Sequence, residues 1–156
     1  MKHMLTYLLI AGLILGLIGC KLNDAEYLEG MVSEIGDSQF TDDKELIGTR
    51  VLKDDADHYA GDYTAACDSV TGRDVVFGGA SIHSRDLFLS GHIETESGKA
   101  TVRIRMNDEV VEREPDADGH FETTLKLDNG GNYIMVIYED FSGVVEMNSE
   151  YLDATE

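Results

Sequence analysis

From Tyr59 onward apolar residues recur at every second position, and this period of two constrains the fold more than any other feature of the chain. Leu87, Leu89, Gly91 and Ile93 alternate with Phe88, Ser90, His92 and Glu94. Val102, Ile104 and Met106 alternate with Thr101, Arg103 and Arg105, while Phe121, Thr123, Leu125 and Leu127 alternate with Glu122, Thr124, Lys126 and Asp128. Successive side chains of a strand point to opposite faces, so each run reads as a strand with one apolar and one solvated face. Tyr59–Cys67, Asp74–Ile82, Val110–Pro115, Tyr133–Tyr138 and Ser142–Met147 read as further strands, with turn sequences at Asn107-Asp108 and Asp128-Asn129-Gly130-Gly131-Asn132. The pattern predicts about seven or eight strands at the spacing of an all-β sandwich or barrel. We expect a small antiparallel β-sandwich over residues 59–152, followed by an acidic tail at 153–156. The absence of long helical periodicity after residue 58 excludes a doubly wound α/β fold.

Residues 20–58 differ in character and are expected to form an acidic tether. Asn23 and Glu26 stand in the positions of a capping box, and Leu28, Met31, Val32 and Ile35 make one apolar stripe. This spacing predicts a short amphipathic helix from Asp24 to Ile35, stopped by Gly36 and Asp37. The stretch from Phe40 to Asp57 carries Leu46, Ile47, Val51 and Leu52, which suit a second helix or a strand equally well.

The first nineteen residues read as a signal peptide. Lys2 precedes an uncharged run from Met4 to Gly19, shorter than the ~20 apolar residues that a spanning helix requires. The run closes on Leu17-Ile18-Gly19-Cys20, which resembles the lipobox of bacterial lipoproteins. The resemblance implies that the Cys20 thiol receives a diacylglyceryl group and that cleavage makes Cys20 the N-terminus. Each buried methylene contributes ~0.8 kcal/mol, so two acyl chains hold a protein stably on a membrane. Lys21 stands where many inner-membrane lipoproteins carry Asp. The expected address is the extracellular face of a cell membrane, with a Gram-negative outer membrane as the other destination.

Composition narrows the partners. With 31 acidic against 12 basic residues the chain carries a formal net charge of −19. Nucleic-acid affinity comes from Lys and Arg on phosphate, so nucleic acid is excluded as a partner. Cations, basic protein surfaces and neutral glycans remain. Cys20 and Cys67 are the two cysteines. If Cys20 carries lipid, Cys67 has no intramolecular partner and the domain rests on packing without a disulfide. The neighbours of Cys67, Ala65 and Ala66, suit a thiol packed as a small hydrophobe.

Ser90-Gly91-His92-Ile93, Thr101-Val102-Arg103-Ile104 and Asp116-Ala117-Asp118-Gly119-His120-Phe121 resemble carboxypeptidase-regulatory-like and Cna-B-like modules. That resemblance implies a prealbumin-like sandwich and transfers no active site. Tyr63-Thr64-Ala65 and Phe77-Gly78-Gly79 are similar to a segment of small Gram-positive lipoproteins, again without assigned chemistry.

Candidate chemistry is sparse. Glu114, Asp116 and Asp118 before Gly119 imitate the start of a calcium loop, but the twelfth position, where an EF-hand places a bidentate Glu, is Leu125. A hairpin turn fits better, since Asp tolerates and Gly favours the left-handed conformation. Asp116, Asp118 and His120 stay as metal candidates. His58, His83 and His92 form no H-x-H or H-x-x-x-H pair with them or with each other. There is no G-x-S-x-G elbow, and Phe77-Gly78-Gly79-Ala80-Ser81 lacks the lysine of a phosphate loop. Gly78-Gly79 reads instead as a bulge or a close backbone approach. No catalytic residue and no cofactor is expected. The sequence points to a membrane-anchored surface lipoprotein with a non-enzymatic module that binds an envelope protein or glycan. Binding of a small ligand or a cation, Ca²⁺ or a transition metal, is the alternative, with an enzyme's accessory subunit ranked after it.

Overall fold

The computed structural model describes residues 41–54 and 57–152, all within the unit Ser33–Glu156. The leader, the lipobox at Leu17, Ile18, Gly19 and Cys20, the helix expected at 24–35 and the acidic tail lie outside the described residues. The described part is all-β, with six strands: β1 (Thr49–Asp54), β2 (Asp57–Ser81), β3 (Arg85–Met106), β4 (Glu109–Arg113), β5 (His120–Leu127) and β6 (Gly130–Tyr151). Every pairing is antiparallel, in the order β1-β2-β6-β3-β4, with β5 also paired to β3.

Three of these strands are far longer than the usual 3–10 residues, at 25, 22 and 22 residues for β2, β3 and β6. Each is bent in its middle. Register shifts fall between Cys67 and Gly72 in β2 and between Thr95 and Lys99 in β3, opposite residues 139–143 of β6. Ser69, Gly98 and Asp140, one at each bend, have φ of 53°, 71° and 47°. The left-handed region turns the strand sharply, and it is accessible to Gly and to short polar side chains. Side chains then pin the crease: the Ser69 N–H donates to Ser142 Oγ at 2.9 Å, and Thr71 Oγ1 both donates to Asp140 Oδ1 and accepts the Asp140 N–H, each at 3.0 Å.

Folding along that crease makes two layers. One has five strands, in the order β1, first half of β2, second half of β6, first half of β3, β5. The other has four, in the order second half of β2, first half of β6, second half of β3, β4. Residues of both halves share one core, among them Tyr63, Leu87, Leu89, Phe121 and Val145 from the first layer with Phe77, Val102, Ile104, Val136 and Tyr138 from the second. The expected antiparallel β-sandwich is therefore present. The eight predicted strand runs all lie in strands, but six of them are the paired halves of β2, β3 and β6, separated by bends within continuous strands and not by turns. The sandwich also takes in residues ahead of Tyr59. Val51 and Leu52 lie in β1, and Leu46, Ile47 and Leu52 pack against the core. The expected close approach at Gly78 is found: its φ is 120°, and a Cβ there would stand 2.1 Å from the Asn132 carbonyl oxygen.

A buried polar cluster joins the two layers. Asp74 of β2 is 0% exposed. Its Oδ1 accepts the Ile47 N–H and its Oδ2 the Gly48 N–H, both at 3.1 Å, and Tyr63 OH donates to Oδ2 at 2.5 Å. The Tyr63 hydroxyl hydrogen points at Asp74, so Tyr138 OH is the donor in the 2.8 Å contact between the two phenols. Beside this cluster, Arg50 Nη1 donates to the Val75 and Val76 carbonyls, and the Val75 N–H donates to Thr41 Oγ1. These contacts cover the edge of β2 in the four-stranded layer, which would otherwise offer unpaired backbone groups.

Burial, followed by the neighbouring phenol and the bond to Asp74, raises the Tyr63 pKa far above that of an ordinary phenol. Burial also raises that of Tyr138, partly offset by its hydrogen bond to Tyr63. Both phenols keep their protons in the fold, whereas in the unfolded chain they ionise near pH 10, approximately their unperturbed value. The folded pKa values lie above the unfolded ones, so this contribution to stability is complete below about pH 10 and is lost as pH rises further. The melting temperature is expected to fall steeply above about pH 10. Phenolate absorbance is expected to show Tyr63 and Tyr138 ionising only with unfolding. If Tyr63→Phe and Tyr138→Phe leave unchanged the phenolate absorbance that develops while the fold persists above about pH 10, the account holds; if either removes part of it, the buried phenol cluster is wrong.

Candidate functional site: the outer face of the five-stranded layer

Alternation along five paired strands sends every second side chain outward, and the register aligns these into rows. One row runs Val51, Asp62, Asn148, Ser90, Glu122; the next runs Thr49, Thr64, Glu146, His92, His120. Between them, on the inward side, lie Tyr63, Met147, Gly91 and Phe121, of which Tyr63, Met147 and Phe121 are core side chains. The outward rows are rich in acceptors and hydroxyls. Asn148 Nδ2 donates to Asp62 Oδ1 at 2.8 Å, which holds both side chains on the face. A third row places the half-buried Phe88 between Glu150 and Thr124.

Two adjoining open depressions lie on this face. One, of about 430 Å³, is lined by Asp62, Thr64, Ser90, His92, Glu146 and Asn148. The other, of about 520 Å³, is lined by Ser90, Asp116, His120, Phe121 and Glu122. The Ser90–Gly91 backbone of β3 belongs to both.

The turn before β5 is built by Asp116. Its Oδ1 accepts the N–H groups of Asp118 at 3.0 Å and His120 at 2.9 Å, and its own N–H donates to the His120 carbonyl at 2.7 Å. The N–H bond from His120, with that from Asp118 and the nearby imidazoles, holds the Asp116 carboxyl below the usual carboxylate range. Gly119, at φ 85°, completes the turn. Glu114 does not join it and instead pairs with Lys99 at 2.9 Å. These residues form a tight turn, but not the expected hairpin: the turn carries the chain from β4 of one layer to β5 of the other, and each of these strands pairs with β3 instead of with the other. Of the metal candidates, Asp116 directs its Oδ1 at backbone donors, Asp118 offers its carbonyl to His92, and His120 turns toward β3. Among the described residues no group of three or more His, Cys, Asp or Glu side chains converges as a metal site would require.

What the sequence does not reveal is the contact between His92 and His120. They stand directly opposite on β3 and β5, with ring centroids 4.5 Å apart and planes tilted by 35°. Cys67 lies away from this face. Burial, and secondarily the Asp74 carboxylate, pushes its thiol up, opposite to the shift that makes a nucleophile.

The described chain is thus a bent antiparallel sandwich with a shallow polar face, a class of architecture that serves binding modules as readily as enzymes. No protein-family model and no curated sequence matches it. Among solved structures it is similar to a carbohydrate-binding module, CBM6cm-2, from Cellvibrio mixtus lichenase 5A, in complex with cellotriose. That similarity has 9% identity and a TM-score of 0.35, over 80% of this chain and 95% of that one. At that TM-score the likeness supports no inference about this chain.

Proposed function

We propose that this protein is a lipid-anchored envelope protein whose sandwich acts as a non-enzymatic binding module for a neutral, hydroxyl-rich ligand, a cell-wall glycan. The observation that carries the reading is the pair of outward rows, in which Asp62, Asn148, Ser90, Glu122, Thr64 and Glu146 cover a rigid sheet with hydrogen-bonding groups. Carboxylates, amides and hydroxyls pair with sugar hydroxyls, and Phe88 beside them offers an apolar surface to a sugar ring. The net charge of −19 repels polyanions. Both depressions are open and shallow, which suits an extended ligand better than a reaction that must exclude water. The anchor rests on the resemblance of Leu17-Ile18-Gly19-Cys20 to a lipobox.

The test is co-sedimentation of the full chain, in detergent, with purified insoluble cell-wall glycan. Replacing Asp62 and Asn148 together by Ala is expected to weaken retention at least about tenfold, the effect of losing roughly 1.4 kcal/mol of contacts. Lys126→Ala, on the same strand as Glu122 but outside both depressions, is expected to change nothing. Wild-type protein that stays in the supernatant, or a double variant retained like wild type, overturns the reading. For the anchor, Cys20→Ala is expected to move the protein from the membrane to the soluble fraction, and continued membrane association refutes lipidation at Cys20.

A further inference from the structure

We infer that His92 and His120 form a two-imidazole site for a late first-row divalent transition-metal ion, of which Zn²⁺ is the probe of choice. Three observations lead there. The first is register. The Ile93 N–H donates to the Gly119 carbonyl at 2.8 Å, so the adjacent pair His92 and His120 occupies a position without backbone hydrogen bonds between its members. At such positions antiparallel strands bring side chains closest together. Two imidazoles thus project from rigid backbone on the same face, without any loop having to close over them.

The second observation is spacing. Zinc–nitrogen bonds of about 2.0–2.1 Å in tetrahedral geometry place the centroids of two imidazoles on one ion roughly 5.2 Å apart, so the two rings need to open by less than about 1 Å to share an ion. The observed separation is 4.5 Å. The third is the outer partner of His92. Its Nε2 lies 3.2 Å from the Asp118 carbonyl oxygen. A carbonyl can only accept, so Nε2 is the donor in this contact and Nδ1 is the ring nitrogen left to face a metal ion. A backbone carbonyl that fixes the tautomer in this way is the usual second partner of a metal-bound histidine. Asp116 supports the arrangement indirectly, because its two N–H bonds set the turn that carries both the Asp118 carbonyl and the start of β5.

The surroundings favour a cation. Glu146 is the next member of the same row beyond His92, and Asp116 and Glu122 line the depression that His120 enters. With two protein ligands the ion keeps open positions for water or for donor groups of a ligand on the face. Imidazole nitrogen suits Zn²⁺, Cu²⁺ and Ni²⁺, whereas Ca²⁺ prefers oxygen. The site is independent of the glycan reading and can exist without it.

Calorimetric titration of the metal-free full chain, in detergent, with Zn²⁺ alone tests the site. Wild type is expected to show saturable binding that His92→Ala and His120→Ala each weaken at least about tenfold, while His83→Ala leaves it unchanged. His120→Gln serves as a second, gentler variant. Melting of every variant without metal is expected to match that of wild type, which separates lost coordination from lost fold. Absence of binding by wild type, or isotherms of the His92 and His120 variants that match wild type, overturns the inference.

Discussion

Replacing Asp74 by Ala is expected to destabilise the protein by about 3–5 kcal/mol, as breaking a buried charged network does. The carboxylate is fully buried and accepts three hydrogen bonds, from Ile47 N–H, Gly48 N–H and Tyr63 OH. Removing it leaves three donors without their acceptor, the Tyr63 hydroxyl buried and the Ile47 and Gly48 N–H groups part-buried, at about 1–3 kcal/mol each before relaxation. Asp74→Asn should be only slightly milder, since its amide nitrogen presents a donor where a donor already points. The loss is also local. Ile47 and Gly48 belong to the segment that, with Thr41 and Arg50, covers the edge of β2. Amide exchange at Ile47 and Gly48 should therefore accelerate beyond what global destabilisation explains. Tyr63→Phe in the Asp74→Ala background should cost less than in wild type, because the acceptor it served is already gone. Urea unfolding of the single variants and the double variant measures this. An Asp74→Ala unfolding free energy within about 1 kcal/mol of wild type, at unchanged m-value, contradicts the account.

The sequence displays the sandwich more clearly than it displays the site. Along the first half of β3 and along β5 the alternation separates core from surface: Leu87, Leu89, Ile93 and Leu125 are buried, and Ser90, His92 and Glu122 face outward, while Thr101 further along β3 is buried against the pattern. The turn at Asp116–Gly119 is equally legible, because Asp and Gly there have a local reason to be present. Asp74 was hidden by its neighbours. It opens the apolar run Val75-Val76-Phe77, and only its core-facing position hinted that the carboxylate had buried partners. Those partners, Ile47, Gly48 and Tyr63, come from other segments of the chain. In β1, Arg50 interrupts the apolar pattern between Ile47 and Leu52, so neither helix nor strand prevailed from local signals. Arg50 is there to donate to the Val75 and Val76 carbonyls, a role set by tertiary contact. The His92–His120 pair depends on strand register between β3 and β5, with β4 intervening, and no local rule supplies it.

The bends have no sequence signal that separates them from turns, and the same residues make them the second sensitive point. Thr95-Glu96-Ser97-Gly98-Lys99 is polar and exposed, as a turn would be, yet β3 continues through it as a bent strand still paired to β6. Gly98→Ala is expected to cost about 2–4 kcal/mol, combining left-handed backbone with a steric clash. At φ 71° a Cβ would stand 2.1 Å from the Asp140 carbonyl oxygen and 2.4 Å from its carbon. Those atoms are backbone of the neighbouring bend, so relief requires β6 to move away from β3. Gly98→Val should cost more, since a β-branched residue is a poorer fit to positive φ. Gly72→Ala, at the edge of the same crease, is the control. Its Cβ would meet only the end of the Ile47 side chain, at 3.1 Å, and a shift of at most about 1 kcal/mol is expected. Denaturant unfolding of the three variants decides between two views of the fold. If Gly98→Ala falls far below Gly72→Ala, the crease forces one bent sheet to close on itself as two layers. If the two are equal, the layers are held together by their shared core alone and the left-handed residues merely follow.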